Sequence, residues 1–342
     1  MSKNKILILK NDRAGDLFTS LPLISSLINP KNTIKIYLSE LNIGFSFFFK
    51  KLKVQLVKFD LSFIQKINIF LDIYNNKYKT IYILSPKSFY FLLPLFFRNI
   101  KFYAIVYNSD KNLRPSSFLR KFLYKYEILY RNTLNKNNYQ NIQTKLIDNE
   151  DFIDKNYSNI NIPIINSKLK ELLPDKFLLF QFRYHFFEEL GWSINEFDIL
   201  IKNILTKYDF VLFSSDIENN TKSKFYNDYF LKDYSIIDTT NFKKYINNNN
   251  KNVFYLKDIN SINLFHLLNE SEINLAKHGI FTHISFFHKK KSHNLFNFKI
   301  NTKEDIIHQK ISFSEWYKGM NLNFSFLNND LKKASKKILK NI

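Results

Sequence analysis

Short apolar runs alternate with longer amphipathic stretches along this chain. In the first half the runs are Lys5–Lys10, Thr33–Leu38, Val54–Phe59, Thr80–Leu84 and Lys101–Val106; in the second they are Lys176–Gln181, Asp209–Ser214, Asn252–Leu256 and Glu272–Ala276. Several are continuously apolar, the pattern of strands covered on both faces. Helices are expected between them at Asp16–Ile28, Leu61–Tyr74, Ser193–Lys207 and Ile262–Leu268, and a Lys-rich one at Asn328–Leu339. In the first of these, Leu17, Leu21, Ile24 and Ile28 recur at alternating spacings of four and three, which draws one apolar stripe against a sheet. Strand then helix, repeated, is the rhythm of a parallel α/β sheet, and it occurs twice.

The 342 residues fit two domains of roughly 100–200 residues each better than one. The polar stretch Asn132–Asn166 separates the halves, and its low-complexity part Asn135–Gln143 reads as linker. Residues 1–165 are therefore expected to form one Rossmann-like domain and residues 170–325 a second, followed by a C-terminal helix in 326–342 that can pack back on the first. Asn247–Asn252 reads as a surface loop.

Composition narrows the class. Hydrophobic residues make up 45% and aromatics 17%, enough for a packed core. With no cysteine, disulfides, thiolate metal sites and Cys nucleophiles are excluded. The first apolar run, Ile6–Leu9, is too short for a signal-peptide core, and Phe89–Phe97, interrupted by Pro94, is too short to span a bilayer. A cytoplasmic protein is expected. The net charge of +21 suits an anionic partner; Lys, Asn, Ile, Phe and Tyr also crowd the whole chain, as an AT-rich coding sequence would produce. The basic residues are dispersed and form no nucleic-acid-binding module, so nucleic acid is not an expected partner. Phe45–Lys53 mixes aromatics with lysines as an interfacial helix does, but reads first as a helix with one face in the core.

Glycine is scarce, occurring only at 15, 44, 191, 279 and 319. Gly15 ends the turn Asn11–Gly15 after the first strand, at the sheet edge where α/β proteins bind ligands. Asp16 then stands at a helix N-terminus, where the dipole favours a carboxylate; an N-cap role is the plainer reading of it. Ser193 and Glu196 form an S-x-x-E capping box that starts a helix after Gly191-Trp192. His278, His283, His288 and His293 follow one another at five-residue intervals, a spacing that cannot converge on a metal from one regular element, so no metal site is expected.

Residues 6–27, ILILKNDRAGDLFTSLPLISSL, resemble the opening of glycosyltransferase family 9, the ADP-heptose:lipopolysaccharide heptosyltransferases. The shared elements are the apolar strand, the loop ending in Gly15-Asp16, and the helix carrying Thr19 and Pro22 ahead of an apolar stripe. The resemblance implies a GT-B fold, two Rossmann-like domains whose parallel sheets face a cleft. It implies a metal-independent, inverting glycosyltransferase in which Asp16 is the catalytic base and Arg13, Gly15 and Thr19 contact the acceptor. A weaker likeness covers Phe177–Ile204, where Arg183, His185 and Trp192 are candidate donor contacts. It also covers Leu275–Ser285, where Lys277, His278, Gly279, Thr282 and His283 stand at the family's donor-binding turn. There Lys277 and His278 replace the family's acidic and hydroxyl residues, and Ser193 replaces a usual Pro. The implied partners are a nucleotide-sugar donor, with ADP-linked sugars among the candidates, and a lipopolysaccharide-core or other cell-surface glycan or glycolipid acceptor. No cofactor is implied, and peripheral contact with the inner membrane leaflet follows from such an acceptor. The altered Lys277-His278 pair leaves a second reading open, a degenerate relative that binds a nucleotide or glycan without transfer.

Overall fold

A computed structural model describes residues 3–109, 112–130, 139–148, 157–182, 193–215, 234–257, 259–277, 279–297, 322–327 and 331–342. They fall into two compact units that divide between Pro163 and Ile164.

In the first unit β1 (Asn4–Lys10) leads into α1 (Ala14–Leu27), then β2 (Asn32–Ser39), a 3₁₀ helix (Glu40–Phe49), β3 (Lys53–Val57), α2 (Phe63–Asn76) and β4 (Thr80–Ile83). After a short helical turn at Leu93–Phe96 come β5 (Lys101–Ser109), β6 (Asn112–Arg114) and β7 (Lys125–Tyr130). The sheet order is β3-β2-β1-β4-β5-β6, with β7 also paired to β5; all these pairings are parallel except β5 with β6. β1 is central, and Leu7, Ile8 and Leu9 are wholly buried, as a strand covered on both faces requires. By the two-residue alternation of a strand, Leu7 and Leu9 join Ile69 and Ile73 of α2 in one core layer, while Ile6 and Ile8 face the other way. On the α1 side Phe18 packs edge-on to Phe45 and Phe48, with ring centroids 5.2 and 5.5 Å apart. The aromatic-lysine segment is thus core: Phe45, Phe47, Phe48 and Phe49 are all buried.

The second unit carries β8 (Leu178–Phe182), β9 (Val211–Ser215), β10 (Ser235–Asp238), β11 (Lys243–Tyr245), β12 (Val253–Lys257), β13 (Ile273–Lys277), β14 (Ser292–Asn297) and β15 (Leu322–Leu327). Their order is β11-β10-β12-β9-β8-β13-β14-β15, parallel except for β10 with β11. Helices Ile194–Leu205, Ser261–Glu270 and Ile280–Phe287 link these strands. The first of these begins at the expected capping box: Ser193 Oγ accepts from the Glu196 N–H at 3.3 Å, and Glu196 Oε2 accepts from the Ser193 N–H at 2.7 Å. Phe180, Phe197 and Phe213 form the middle of this core, and Tyr234 stacks on Phe213 at 5.7 Å. The C-terminal helix Leu331–Asn341 places Ile338 in this same core, with Leu339 beside it, so its described apolar contacts lie within the second unit.

The expected strands and main helices appear within a few residues of their predicted ends. The polar stretch between the halves differs: Tyr139–Thr144 is helical, and Ile142, Gln143 and Thr144 are buried on the first unit.

Candidate functional site

β1 lies between β2 and β4, where the strand order reverses direction, and the carboxyl edge at such a point is where open α/β sheets form ligand crevices. The chain leaves this edge through Lys10-Asn11-Asp12, all three buried. Lys and Asp two residues apart on extended backbone share a face, and the Lys10 ammonium donates to Asp12 Oδ2 at 2.8 Å. The segments after β2, β3 and β4 pin the turn. Asn42 Nδ2 donates to the Asp12 carbonyl at 2.9 Å, Asn11 Nδ2 donates to the carbonyls of Lys58 and Phe59 at 3.2 Å each, and the Tyr90 hydroxyl donates to Asn11 Oδ1 at 2.9 Å. A turn held from three sides presents the next residues in a fixed position.

Burial pushes the Asp12 carboxyl up to about 6; the negative Asp16 adds to the rise, while the Lys10 ammonium and the Ser85 hydroxyl pull against it. Burial, followed by the charge on Asp12, likewise raises the Tyr90 hydroxyl, which stays a donor. The mouth of β1 therefore holds two carboxylates, Asp12 and Asp16, with one buried cation, Lys10, paired to the first.

Asp16 lies in the first turn of α1 but is not its cap. Arg13 occupies the N-cap position with extended backbone and makes no side-chain cap bond. Among the described residues the half-buried Asp16 carboxylate has no hydrogen-bond or ion-pair partner, so the capping role considered from sequence is not the one it plays. Its backbone is fixed instead: the Asp16 carbonyl accepts from the Thr19 hydroxyl at 2.7 Å and the Ser20 hydroxyl at 3.2 Å. Gln143 Nε2 in turn donates to Thr19 Oγ1 at 3.3 Å. Thr19, expected to meet the acceptor, is buried and holds the first turn in place. Gly15 is half-buried beside Asp16, and Arg13 is exposed at the helix entrance. The sequence places Arg13, Gly15 and Asp16 at this edge, and the fold adds Lys10, Asp12, Asn42, Ser85 and Tyr90. The Lys-x-Asp spacing at a strand end was the available signal for the first two; the others come from distant segments.

In the second unit β8 stands at the corresponding reversal, between β9 and β13. β8 and β13 are parallel neighbours, so the chain leaves Phe182 and Lys277 at the same sheet edge. Arg183, His185, Trp192 and His278 lie outside the described residues, and of Lys277 only the backbone, at the end of β13, is described. Gly279 is extended and precedes the helix Ile280–Phe287. Thr282 and His283, expected at the donor, are both buried. Thr282 is fully buried, accepts from the Gly279 N–H at 3.4 Å and donates to the Asn294 side chain; His283 is buried as well. His288 Nε2 lies 3.0 Å from the Phe265 carbonyl, and burial lowers its imidazole to about 4. Among the described residues no three His, Asp or Glu side chains are grouped to hold a metal, and no helix is long and apolar enough to cross a membrane.

No family model and no curated protein matches this sequence. Solved structures do match it. The ADP-heptose lipopolysaccharide heptosyltransferase II of E. coli superposes with a TM-score of 0.62 at 10% identity, covering 98% of this chain and 97% of that one. A family 9 glycosyltransferase from Veillonella parvula gives a TM-score of 0.63 at 11% identity over 100% of this chain and 98% of its own. A UDP-GlcNAc 2-epimerase from Methanocaldococcus jannaschii gives 0.56 at 13% identity over 98% and 91%. At such identities the likeness is one of fold, and one fold hosts several chemistries. The chain therefore has the GT-B fold, built from two Rossmann-like domains, that transferases and an epimerase share.

Proposed function

We propose that this protein is an inverting glycosyltransferase that moves a sugar from a nucleotide-sugar to a glycan or glycolipid acceptor, with Asp16 as the general base. The observation that carries the reading is the placement of Asp16. It is a carboxylate on the first turn of α1, at the carboxyl end of the central strand, backbone-fixed through Thr19 and Ser20 and given no structural partner among the described residues. The Gly15-Asp16 resemblance to family 9 supports the same assignment.

The chemistry follows from that position. The acceptor hydroxyl gives its proton to Asp16 as its oxygen attacks the anomeric carbon, and the bond from that carbon to the phosphate oxygen breaks on the opposite face. The negative diphosphate that is released needs positive groups to hold it. The N–H groups that open the helix at Ile280, with Lys277 and the residues after Phe182, are the assigned holders, since helix N-termini bind anions. Arg13, exposed at the α1 entrance, is assigned to the acceptor. Thr282 and His283, both buried, are assigned to shaping this turn. Asp12, held by the Lys10 ammonium at the start of the same turn, is a positioning group.

ADP-linked heptose or a related sugar is the first donor to try, because a solved relative of this fold is the E. coli heptosyltransferase WaaC with ADP. The acceptor reading places the protein at the cytoplasmic face of the inner membrane. Thermal-shift screening against ADP, UDP, GDP and CMP, followed by transfer assays with the sugar of the stabilising nucleotide, tests this; ligand binding to the folded state raises Tm by mass action. Transfer of sugar to an acceptor supports the proposal. Epimerisation of a UDP-sugar without transfer, or nucleotide binding with no turnover of any donor, overturns it.

A further inference from the structure

Helix α2 is apolar on two faces. Ile69 and Ile73 enter the core, as a helix beside a sheet requires. On the other side Phe63, Ile64, Ile67, Leu71 and Tyr74 recur at helical spacing and are 76, 69, 41, 48 and 69% exposed. The other exposed positions of the helix are Asn68 and Asn75, both uncharged, and Lys66 is half-buried. The helix is firmly begun, by a capping box of Ser62 and Gln65, so this is a formed surface. It continues sideways: Phe70 lies 5.5 Å from the ring of Phe96, itself 66% exposed. A soluble surface rarely leaves so continuous an apolar stripe unpartnered.

The charge around it is one-sided. Between residues 50 and 79 seven lysines stand against two aspartates. Both aspartates are already paired, Asp72 with Lys35 at 2.7 Å and Asp60 with Lys87 at 3.4 Å. Lys53 and Lys58, on and just after the edge strand β3, and Lys77 and Lys79, just beyond the C-terminal end of α2, are exposed.

We propose that the outer face of α2 docks the protein on an anionic lipid bilayer, the apolar stripe entering the headgroup boundary and the flanking lysines meeting lipid phosphates. Large aliphatic and aromatic tips rimmed by cations are what such a boundary takes. A second copy of this chain is a poorer occupant, since a two-fold contact would set these lysines against their own counterparts. The inference deepens the reading of a glycolipid acceptor and names the surface that brings the enzyme to it, yet it is read from vesicle binding, which does not depend on transfer.

The test is co-sedimentation of the full chain with phosphatidylcholine vesicles, with and without phosphatidylglycerol. The expected result is binding that needs phosphatidylglycerol and falls about tenfold or more in Ile67→Glu/Leu71→Glu. Both side chains are solvent-facing, and circular dichroism checks that the variant folds. Wild-type protein that ignores the anionic vesicles overturns the proposal, as does a variant that binds like wild type. A native dimer that the variant dissolves also overturns it, by giving the face to a second copy. Transfer to a soluble acceptor, measured without vesicles, is expected to be equal in both proteins, so loss of docking and failure of the transferase reading are separate results.

Discussion

The ammonium of Lys10 sits 2.8 Å from the carboxylate of Asp12, with Lys10 wholly enclosed and Asp12 nearly so. A buried cation is tolerated when paired, and removing its partner costs about 3–5 kcal/mol. Asp12→Ala, which removes the hydrogen-bond acceptor of Lys10 together with its counter-charge, is therefore expected to destabilise the protein by about that amount, whereas protonation of Asp12 keeps that acceptor, and Lys10→Met leaves a carboxyl that takes up a proton. Chemical denaturation of the two variants at neutral pH checks this asymmetry. Equal, small losses would show that the pair does not hold the turn.

Tyr90 anchors the same turn from the segment after β4. Its hydroxyl donates to Asn11 Oδ1 at 2.9 Å in a buried setting. Tyr90→Phe strips one acceptor of its partner and is expected to cost about 1–3 kcal/mol. It should also loosen the approach to Asp16. Denaturant midpoints, with transfer rates in parallel, read both effects.

The two domains should answer acid in opposite ways. Asp12 is raised from 3.8 to about 6, so folding favours its neutral form: that contribution is complete below pH 3.8 and is lost as pH rises through about 6. His288 is lowered from 6.5 to about 4 by burial, so its contribution is complete above pH 6.5 and is lost as pH falls through about 4. Asp238 leans the same way, because the Asn241 N–H holds its carboxylate below the ordinary value. Hydrogen exchange resolved by domain, compared at pH 5 and pH 7, is expected to show the second domain loosening at the lower pH and the first holding or gaining protection. Parallel changes in both would contradict these assignments.

Phe180 sits at the centre of the second core, its ring 5.3 Å from Phe213 and 6.1 Å from Phe197. Phe180→Ala is expected to cost about 3–5 kcal/mol by leaving a cavity among rings that cannot all collapse into it. Thermal unfolding followed by near-ultraviolet circular dichroism measures the loss.

What the sequence could reveal depended on whether the signal was local. β1 and α1 were legible because the unbroken apolar run ILIL and the Leu17-Leu21-Ile24 stripe are both local signals. Helix Tyr139–Thr144 was not, because its polar residues are recruited by a distant partner, Gln143 reaching Thr19. The same reason hid Asn42, Ser85 and Tyr90, which become site residues only when β2 and β4 bring their ends beside β1. Thr19, Thr282 and His283 stand at motif positions, yet nothing in their spacing told that they are buried. The outer face of α2 was overlooked for a related cause: periodicity marks an apolar helix but does not say which apolar face the sheet covers.

The proposed mechanism turns on Asp16. With the nucleotide-sugar found by thermal shift and a saturating acceptor, Asp16→Asn is expected to lower kcat by roughly 10²–10⁴-fold while leaving the nucleotide-induced Tm shift and the fold unchanged. A variant that transfers sugar at the wild-type rate would contradict the assignment of the base, and with it the proposed mechanism.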